Sequence, residues 1–439
     1  MSFKKKMLTV AAVSALTAAT AVPAMALENE FHGMYKFMGY QSNFINGAAG
    51  NLADDAHSGW FAEQRARILY TAKANDNLKL VTHFELDTRF GGIGTGYKGT
   101  TGNDSGNLDA DQLTLETKNV YLDANCPITG TNVKIGIQPW ADAYSSLFLL
   151  ADMTGVYATK KFDPFTASLG WFRFDDNTLG GTADVGQLTA DLFVLDGKFA
   201  VNKDIKVGAS YYGVFNDTAT ATPNFDELHM LGLNADLNFG VASVKPFAAY
   251  QFGEDTVDND INGYLLGTTA KIKVGPGAIN AAAMYLSGDD DGTAKDRDFK
   301  TIGGAFTYFN AANMWLLVRN GGQIGTSTSV LGNDMTVGGR GSWGLFAGYE
   351  GTSGKLFYNA NLGHMQTVED RGTEDNVLGT EINAQVGYKV YDNLAVSAAA
   401  AYAFLGDALG SDTATDLVPA GRVNADDPYL FNVQVSYVF

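Results

Sequence analysis

The stretch WFAEQRARILYTAKANDNLKLVTHFELDTRF, residues 60–90, alternates apolar and polar side chains on both sides of a turn at 75–77. Trp60, Ile68 and Tyr70 share one face of the first run, and its charged side chains lie on the other face. Successive side chains of a strand point to opposite faces of the sheet. The pattern therefore predicts two antiparallel strands, each with an apolar environment on one face and a polar environment on the other.

The same alternation recurs along the rest of the chain, for example at 229–239 and 382–390. The alternating runs have about 10–14 residues, a length that lets a tilted strand cross a bilayer. Short connections, such as 202–204 and 392–393, alternate along the chain with long acidic ones. This layout predicts an all-β fold: a transmembrane antiparallel β-barrel with short periplasmic turns and long acidic extracellular loops.

The pattern defines the number of strands less sharply than it defines the barrel. Closure with both chain ends in the periplasm predicts an even number of about 16 to 20 strands. A direct count of the turns gives about 20 strands, and about 18 is nearly as good an interpretation. The two counts differ because the runs at 299–309 and 314–319 are the weakest pair.

A soluble β-sandwich is the alternative fold, since its strands also alternate between apolar and polar residues. Strands of soluble proteins average about 5–6 residues, which is shorter than the runs seen here. Aromatic residues also stand near the ends of many runs, where interfacial girdles place them in outer-membrane barrels. Both features favour the barrel.

The first 26 residues carry an export signal. Residues 4–6 are lysines, 7–22 are apolar and rich in alanine, and 24–26 read Ala-Met-Ala. This sequence of regions is typical of a cleaved secretory signal peptide, and its apolar part is too short for a membrane-spanning helix. We expect a signal peptide at 1–26, a single barrel domain at 27–439 and a location in the cell outer membrane.

Charge and composition exclude several classes of protein. The formal net charge of −18 opposes binding to nucleic acid, whose phosphates need cationic partners. Cys126 is the only cysteine, which excludes a disulfide framework and covalent c-type haem. None of the five histidines stands in a recognisable catalytic motif. We therefore expect neither enzymatic activity nor a cofactor.

Residues 63–90 and 119–144 resemble the OmpJ-type outer-membrane porins of anaerobic, metal-reducing deltaproteobacteria. The second segment reads NVYLDANCPITGTNVKIGIQPWADAY. The resemblance implies a porin-type channel in an envelope that also carries multihaem cytochromes. It transfers no ligand residue to this chain, because the shared features are barrel strands.

Charged side chains concentrate on the polar faces of the second and third predicted strands. Residues two apart share a face, so both sets should point into the lumen. Opposed charges across a water-filled pore orient and filter small hydrophilic solutes. Ion pairs that only hold the register of the two strands are an equally good interpretation. The predicted pore-lining residues are Glu63, Arg65, Arg67, His83, Glu85, Asp87 and Arg89.

The connection at 139–154, PWADAYSSLFLLADMT, is apolar where the other long connections are acidic. Exposed to water, it would form an unexplained apolar patch. We expect it to fold into the barrel with a helical turn and to narrow the pore. A loop packed on a neighbouring subunit and a longer strand in the membrane are the alternatives. The residues assigned to this constriction are Trp140, Asp142, Tyr144, Leu147 and Phe148.

One acidic loop has a partial resemblance to a calcium-binding loop. Asp258, Asp260 and Asn262 match the first half of an EF-hand loop. The bidentate glutamate that should follow is replaced by Thr269. A dedicated metal site is therefore not expected, and these residues are at most weak ligands.

The chain ends in the alternating run LFNVQVSYVF, residues 430–439. An exposed strand edge cannot exist in a bilayer, so this last strand must pair with the first, around 31–40. Tyr437 and Phe439 resemble the signal that the outer-membrane barrel assembly machinery reads. Their side chains are expected on the lipid face.

Together these features predict a porin that carries small hydrophilic solutes and ions by passive diffusion through a charged lumen. Two alternatives remain at this point: a substrate-specific channel, and a structural barrel that supports surface cytochromes or metal-oxide contact. Expected partners are outer-membrane lipid, lipopolysaccharide and the assembly machinery. A homotrimer is suggested only by analogy with general porins.

Overall fold

Antiparallel strands form one closed sheet in the computed structural model of the chain. The structure describes residues 27–439 except 46–51, 53, 93–105, 107–114, 177–184, 219–224, 258, 291–294, 304–306, 311, 371–375 and 411–423. Within these residues the sheet contains 20 strands, two of which are only two residues long. The other eighteen form the wall of the barrel.

The wall strands follow one another around the barrel in chain order. They are β1 (Glu28–Ser42), β2 (Gly59–Asn75), β3 (Leu78–Arg89), β4 (Glu116–Asn125), β5 (Asn132–Ala141), β6 (Leu150–Phe162), β7 (Phe165–Asp175), β8 (Ala190–Ala200), β9 (Ile205–Asn216), β10 (Phe225–Asn238), β11 (Ala242–Asp255), β12 (Tyr264–Val274), β13 (Gly277–Leu286), β14 (Ser342–Ser353), β15 (Leu356–Thr367), β16 (Val377–Tyr391), β17 (Leu394–Leu405) and β18 (Tyr429–Val438).

The barrel closes between the last strand and the first. β18 pairs antiparallel with β1, from Met34 opposite Val438 to Ser42 opposite Leu430. Closure leaves no unpaired backbone edge in the bilayer, where an unsatisfied N–H or C=O group is costly. The predicted even-stranded antiparallel barrel is thereby confirmed, as is its closing strand pair.

Side chains alternate between the outside and the inside of the wall. On β18, Phe431 and Val433 are more than half exposed on the outer surface, whereas Asn432 between them is buried on the lumen side. Outward apolar side chains match the hydrocarbon core of the membrane. This is the physical origin of the period-two pattern in the sequence.

The connections differ strongly between the two ends of the barrel. At one end, which also holds both termini of the barrel, the turns are 76–77, 126–131, 163–164, 201–204, 239–241, 275–276, 354–355 and 392–393. At the other, the connections are 43–58, 90–115, 142–149, 176–189, 217–224, 256–263, 287–341, 368–376 and 406–428. These ends are called the short-turn end and the long-loop end below.

The direct count of about 20 strands was too high by one pair, although about 18 lies within the expected range. The runs at 299–309 and 314–319 are not wall strands, because they belong to the connection 287–341, which folds into the lumen. Apolar residues in this connection pack against the inside of the wall. Burial against the wall can therefore produce an apolar run of strand length without contact with the membrane.

Within the described parts of the chain, residues of the connections 142–149 and 287–341 enter the lumen and create an apolar core there. The short infolded loop is 142–149, and the long infolded segment is 287–341. The lumen faces of β8 and β9 carry buried apolar side chains, among them Leu192, Val194 and Val214. At the long-loop end, therefore, this part of the lumen wall is apolar where the alternation predicted a polar face.

Helix is scarce in the described residues, where Asp407–Gly410 form one short turn of α-helix. Among those residues, no helix is long and apolar enough to cross a membrane.

Candidate functional site

Ion pairs connect the lumen faces of β2 and β3. The strand register places Arg65 opposite Asp87 and Arg67 opposite Glu85. Arg65 donates two hydrogen bonds to Asp87, from Nε to Oδ1 at 2.7 Å and from Nη2 to Oδ2 at 2.5 Å. Its Nε also lies 3.2 Å from Oε2 of Glu85, to which Arg67 donates. The structure thus brings four predicted pore-lining residues into one ladder.

The third rung joins the ladder to the long infolded segment. Glu63 lies opposite Arg89 in the register, with Oε1 of Glu63 at 3.5 Å from Nη2 of Arg89. The hydroxyl of Thr326 accepts from Arg89 and donates to Glu63, and the Thr326 amide donates to Oε2 of Glu63 at 3.3 Å. The segment is therefore docked on the charged wall.

Two further cations complete this group, and sequence reasoning missed both. Lys36 on β1 donates from Nζ to the Gly322 carbonyl at 2.9 Å, and Arg319 donates to the Ile324 carbonyl at 3.1 Å. Arg65 donates to the same Ile324 carbonyl at 3.2 Å. The alternation of the first strand could have revealed Lys36 as lumenal. Arg319 lies in the run 314–319, which the direct count of the turns takes as a strand.

The eight charged residues of this site form the ladder cluster. They carry five cationic and three anionic groups, so the cluster has an excess of two cations, although the whole chain has a formal charge of −18. The field inside a narrow pore depends mainly on the charges that line it. The members are Lys36, Glu63, Arg65, Arg67, Glu85, Asp87, Arg89 and Arg319.

His83 also lies on the lumen face of β3, as predicted, but closer to the short-turn end than the ladder cluster. Its Nδ1 lies 3.3 Å from Oδ1 of Asn119 on β4. This contact is a cross-strand hydrogen bond of the wall. His83 is therefore lumenal and is placed beside the cluster rather than in it.

One carboxylate organises the short infolded loop. Asp142 accepts backbone N–H groups from Tyr144 at 2.6 Å, Ser146 at 3.0 Å, Phe148 at 2.8 Å and Leu149 at 2.7 Å. Burial raises the pKa of Asp142 to about 6, and the four N–H donors oppose that rise. The expected helical turn is absent from this described loop, because Ser145 and Ser146 have positive φ angles of 60° and 63° and most of the N–H groups point to the Asp142 carboxylate.

The loop is held against the inside of the barrel wall. The Tyr144 hydroxyl lies 2.8 Å from Oγ of Ser210 on β9, and the ring occupies the space that a side chain on Gly232 would fill. Phe148 stacks on Tyr212 with ring centroids 5.9 Å apart. The loop therefore packs on the lumen wall of its own chain.

Trp140 and Leu147 extend the same apolar contact. Trp140 is the penultimate residue of β5 rather than part of the loop, and its ring meets the edge of Tyr212 at 5.3 Å between centroids. Leu147 is completely buried. The structure thus brings all five residues of the predicted constriction together inside the barrel.

The two infolded elements touch each other. The amide of Tyr308 donates to the Ser146 carbonyl at 3.0 Å. The rings of Phe148 and Phe299 lie 6.5 Å apart, edge to face. Together the loop and the segment form one body inside the barrel, packed between the apolar wall and the ladder cluster.

Polar cavities lie between the two infolded elements and the short-turn end of the barrel. One has a volume of about 580 Å³ and is lined by Lys245, Lys271 and Lys273. A second of about 430 Å³ contains the Lys198–Asp236 ion pair, with Nζ 2.7 Å from Oδ2. These cavities have charged walls, as expected for the lumen of a channel that conducts hydrophilic solutes.

The candidate calcium loop is only partly described. Asp258 lies outside the described residues. Asp260 is on a two-residue strand, and Oδ1 of Asn262 accepts a hydrogen bond from the Tyr250 hydroxyl at 2.9 Å. Within the described parts of the chain, no three histidine, cysteine or acidic side chains are grouped as metal ligands.

The C-terminal residues lie on the outer face at the closing seam. The rings of Tyr437 and Phe439 stack with centroids 5.5 Å apart. Phe439 is half exposed and hydrogen bonds through its backbone to β1. The end of the chain is thus held, as the apolar ending of the sequence predicted.

Comparison with known proteins supports a porin. The family model for Gram-negative porins matches residues 11–319. A search of curated proteins by sequence finds no match.

Solved structures share the fold over almost the whole chain. OccK8 (OprE) of Pseudomonas aeruginosa has a TM-score of 0.55 and 13% identity, over 94% of this chain and 98% of its own. OccAB4 of Acinetobacter baumannii has a TM-score of 0.55 and 12% identity, over 95% and 100%. The outer membrane protein OpdK of Pseudomonas aeruginosa has a TM-score of 0.54 and 11% identity, over 93% and 98%.

Proposed function

The chain belongs to the Gram-negative porin family and is an outer-membrane channel, and we propose that small hydrophilic solutes and ions cross it by passive diffusion, screened by the ladder cluster. The observation that carries this proposal is the docking of the long infolded segment on that cluster. Arg65 and Arg89 line the wall where the segment meets it. Solutes that enter the lumen there pass close to a strongly charged surface. The family and the fold are those of non-enzymatic channels.

The ladder cluster supports a preference for anions. Its carboxylates are paired with arginines across the strands, whereas Lys36 and Arg319 add positive charge. Inside a narrow, partly dehydrated pore, an excess of cations lowers the energy of a passing anion and raises that of a passing cation. The negative total charge of the chain has less influence, because charges beyond about one Debye length are screened.

Conductance in a planar bilayer tests the proposal. The refolded barrel is added to one side of the membrane, and the reversal potential is measured in a gradient of potassium chloride. We expect discrete conductance steps and a reversal potential of the sign given by chloride preference. Steps of the opposite selectivity would refute the role of the cluster, and no conductance above the lipid background would refute the channel.

The same measurement distinguishes the alternatives. A substrate-specific channel would give a current that saturates or is blocked at low solute concentration, whereas a diffusion pore responds linearly. A structural barrel that only supports surface cytochromes or metal-oxide contact would not conduct. We also propose a relationship to the OmpJ-type porins, which the resemblance of residues 63–90 and 119–144 supports.

Export and assembly are also part of the proposal. The lysines at 4–6 and the Ala-Met-Ala at 24–26 support cleavage after residue 26. N-terminal sequencing of the membrane-extracted protein should then begin at Leu27. Recognition of Tyr437 and Phe439 by the barrel assembly machinery and association as a homotrimer are tested by in vitro assembly and by chemical crosslinking.

A further inference from the structure

Glu381 on β16 is completely buried on the lumen side of the wall, beneath the long infolded segment. We propose that Glu381 is a positioning residue that fixes the segment in the lumen and thereby sets the size and selectivity of the pore. This inference rests on the proposed channel function and deepens it. Glu381 itself is not on the path of the solute.

The carboxylate accepts hydrogen bonds from three consecutive backbone amides. Trp315 donates to Oε1 at 2.8 Å, and Leu316 and Leu317 donate to Oε2 at 2.9 Å and 2.8 Å. Nδ2 of Asn383 donates to Oε1 at 2.8 Å. All four contacts come from N–H groups, the arrangement that an ionised carboxylate accepts and a neutral amide cannot fully replace.

The backbone carbonyls of the same three residues accept hydrogen bonds from other residues of the segment. The Trp315 carbonyl accepts from the Thr328 hydroxyl at 3.1 Å. The carbonyls of Leu316 and Leu317 accept from the amides of Val330 at 2.7 Å and Leu331 at 3.2 Å. Trp315–Leu317 are therefore a bent stretch whose three successive amides converge on one side, and among the described contacts their acceptor there is Glu381.

A side chain has to supply this acceptor because the wall backbone is already used. The backbone of β16 pairs with β15 on one side and with β17 on the other, through residue 381 itself. A segment inside the barrel cannot join that ladder. Glutamate offers two acceptor oxygens at the end of a chain long enough to leave the wall.

The stretch held by Glu381 continues directly to the ladder cluster. Within the next few residues, Arg319 belongs to the cluster, and Gly322, Ile324 and Thr326 contact its members. Loss of the carboxylate would leave three buried amides without an acceptor, which strongly disfavours the docked position. The segment would then loosen at both places, and the cluster would lose its partners.

The test compares two variants that remove the same charge from the lumen. Glu381→Gln removes the carboxylate under the segment. Glu350→Gln removes one on the lumen face of β14, where Glu350 is half exposed and pairs with Lys271 away from the segment. For Glu381→Gln we expect single-channel conductance to rise about twofold and the chloride preference to weaken. For Glu350→Gln, which leaves the contacts of the segment with the wall intact, we expect a clearly smaller change in both quantities.

A milder variant keeps the test decisive if Glu381→Gln does not fold. Asn383→Ala removes one of the four donors, keeps the carboxylate and leaves the sequence of the segment as it is. It should shift conductance and selectivity in the same direction by a smaller amount. Heat-modifiable migration in gels verifies that each variant has formed a barrel.

If the Glu381→Gln variant assembles and has the conductance and reversal potential of the parent protein, the inference is overturned. Equal effects of Glu381→Gln and Glu350→Gln would also overturn it, because they would reveal a simple charge effect. If Glu381→Gln fails to assemble, unchanged behaviour of Asn383→Ala overturns it. Failure of the channel proposal is distinguishable, because the parent protein would then show no conductance at all.

Discussion

Gly33 on β1 and Phe439 at the chain end exchange two backbone hydrogen bonds. The Phe439 amide donates to the Gly33 carbonyl at 3.0 Å, and the Gly33 amide donates to the Phe439 carbonyl at 2.8 Å. The phenyl ring lies where a side chain on Gly33 would project. The last residue of the chain is therefore seated in a notch that glycine leaves open.

Filling this notch should impair closure of the barrel. Gly33→Val places a branched side chain where the Phe439 ring lies, and overpacking of this kind costs about 1–3 kcal/mol. We expect a smaller fraction of heat-modifiable barrel after refolding. Gly59→Val is the matched control, because no atom lies within 4 Å of the position of its Cβ. Equal refolding yields for the two variants would contradict the prediction.

Deletion of Phe439 should lower assembly far more than it lowers conductance per pore. The residue contributes to the seam and, as proposed, to recognition by the assembly machinery, but it does not line the lumen. Barrel content of isolated outer membranes and single-channel conductance of the purified variant measure the two effects separately. Normal membrane levels of the truncated chain would count against the recognition role.

Replacing Lys36 should reduce the preference for anions. Lys36→Gln removes one of the two excess cations of the ladder cluster, and the chloride-to-potassium permeability ratio should fall about twofold. Reversal potentials in a salt gradient measure this ratio. Lys389→Gln removes a lysine from the lumen face near the short-turn end and should have a smaller effect. A larger shift for Lys389→Gln would place the selective region elsewhere.

Displacing the short infolded loop should widen the pore. Gly232→Val puts a side chain where the Tyr144 ring lies, so the ring must leave its seat and the loop must move. We expect single-channel conductance to rise, and a deletion of 141–150 should raise it further. Tyr144→Phe, which loses only the hydrogen bond to Ser210, should cost about 1 kcal/mol of stability and leave conductance nearly unchanged. Unchanged conductance in the deletion variant would disprove the constriction.

Asp142 should make stability depend on pH. Burial raises the pKa of this carboxyl from its usual 3.8 to about 6, so the folded protein holds the proton more tightly than the unfolded chain. The associated stabilisation is fully present below about pH 4 and is lost as the pH rises to about 6, a change of about 3 kcal/mol.

Urea unfolding in lipid vesicles at several pH values measures this effect. The free energy of unfolding should fall with rising pH in the parent protein more than in Asp142→Asn, which has no carboxyl to titrate. Asp260→Asn, which removes an exposed carboxylate, should retain the slope of the parent. The same slope in the parent and in Asp142→Asn would exclude Asp142 as its source.

The sequence predicted the wall of the barrel and the short infolded loop but not the long infolded segment, for one physical reason. Lipid imposes an apolar partner on every second residue of a wall strand, and that constraint is visible in a single chain. Inside the barrel, Met314–Val318 are buried against the wall instead, and in the sequence their apolar run resembles a wall strand. The charged rungs from Glu63 to Arg89 could be predicted because neighbouring strands set their register.

Contacts between distant parts of the chain left no comparable pattern. Lys36 joins the ladder cluster through the Gly322 carbonyl, and Glu381 binds amides at 315–317. Neither partner can be read from spacing, because it depends on the path of the infolded segment. The alternation at 382–390 places Glu381 on the lumen face, and a carboxylate that becomes buried there requires hydrogen-bond donors.

The apolar lumen wall restricts how this chain could be engineered into a wide pore. Leu192, Val194 and Val214 are almost completely buried by the infolded body. Deletion of both infolded connections would expose this apolar surface to water, which favours collapse of the pore or aggregation of the barrels. A wide-pore design would have to replace these apolar wall residues with polar ones as well as shorten the two connections. The pore diameter therefore depends on two features of the sequence. One is the pair of infolded connections that occupy the lumen, and the other is the set of apolar wall residues against which they pack.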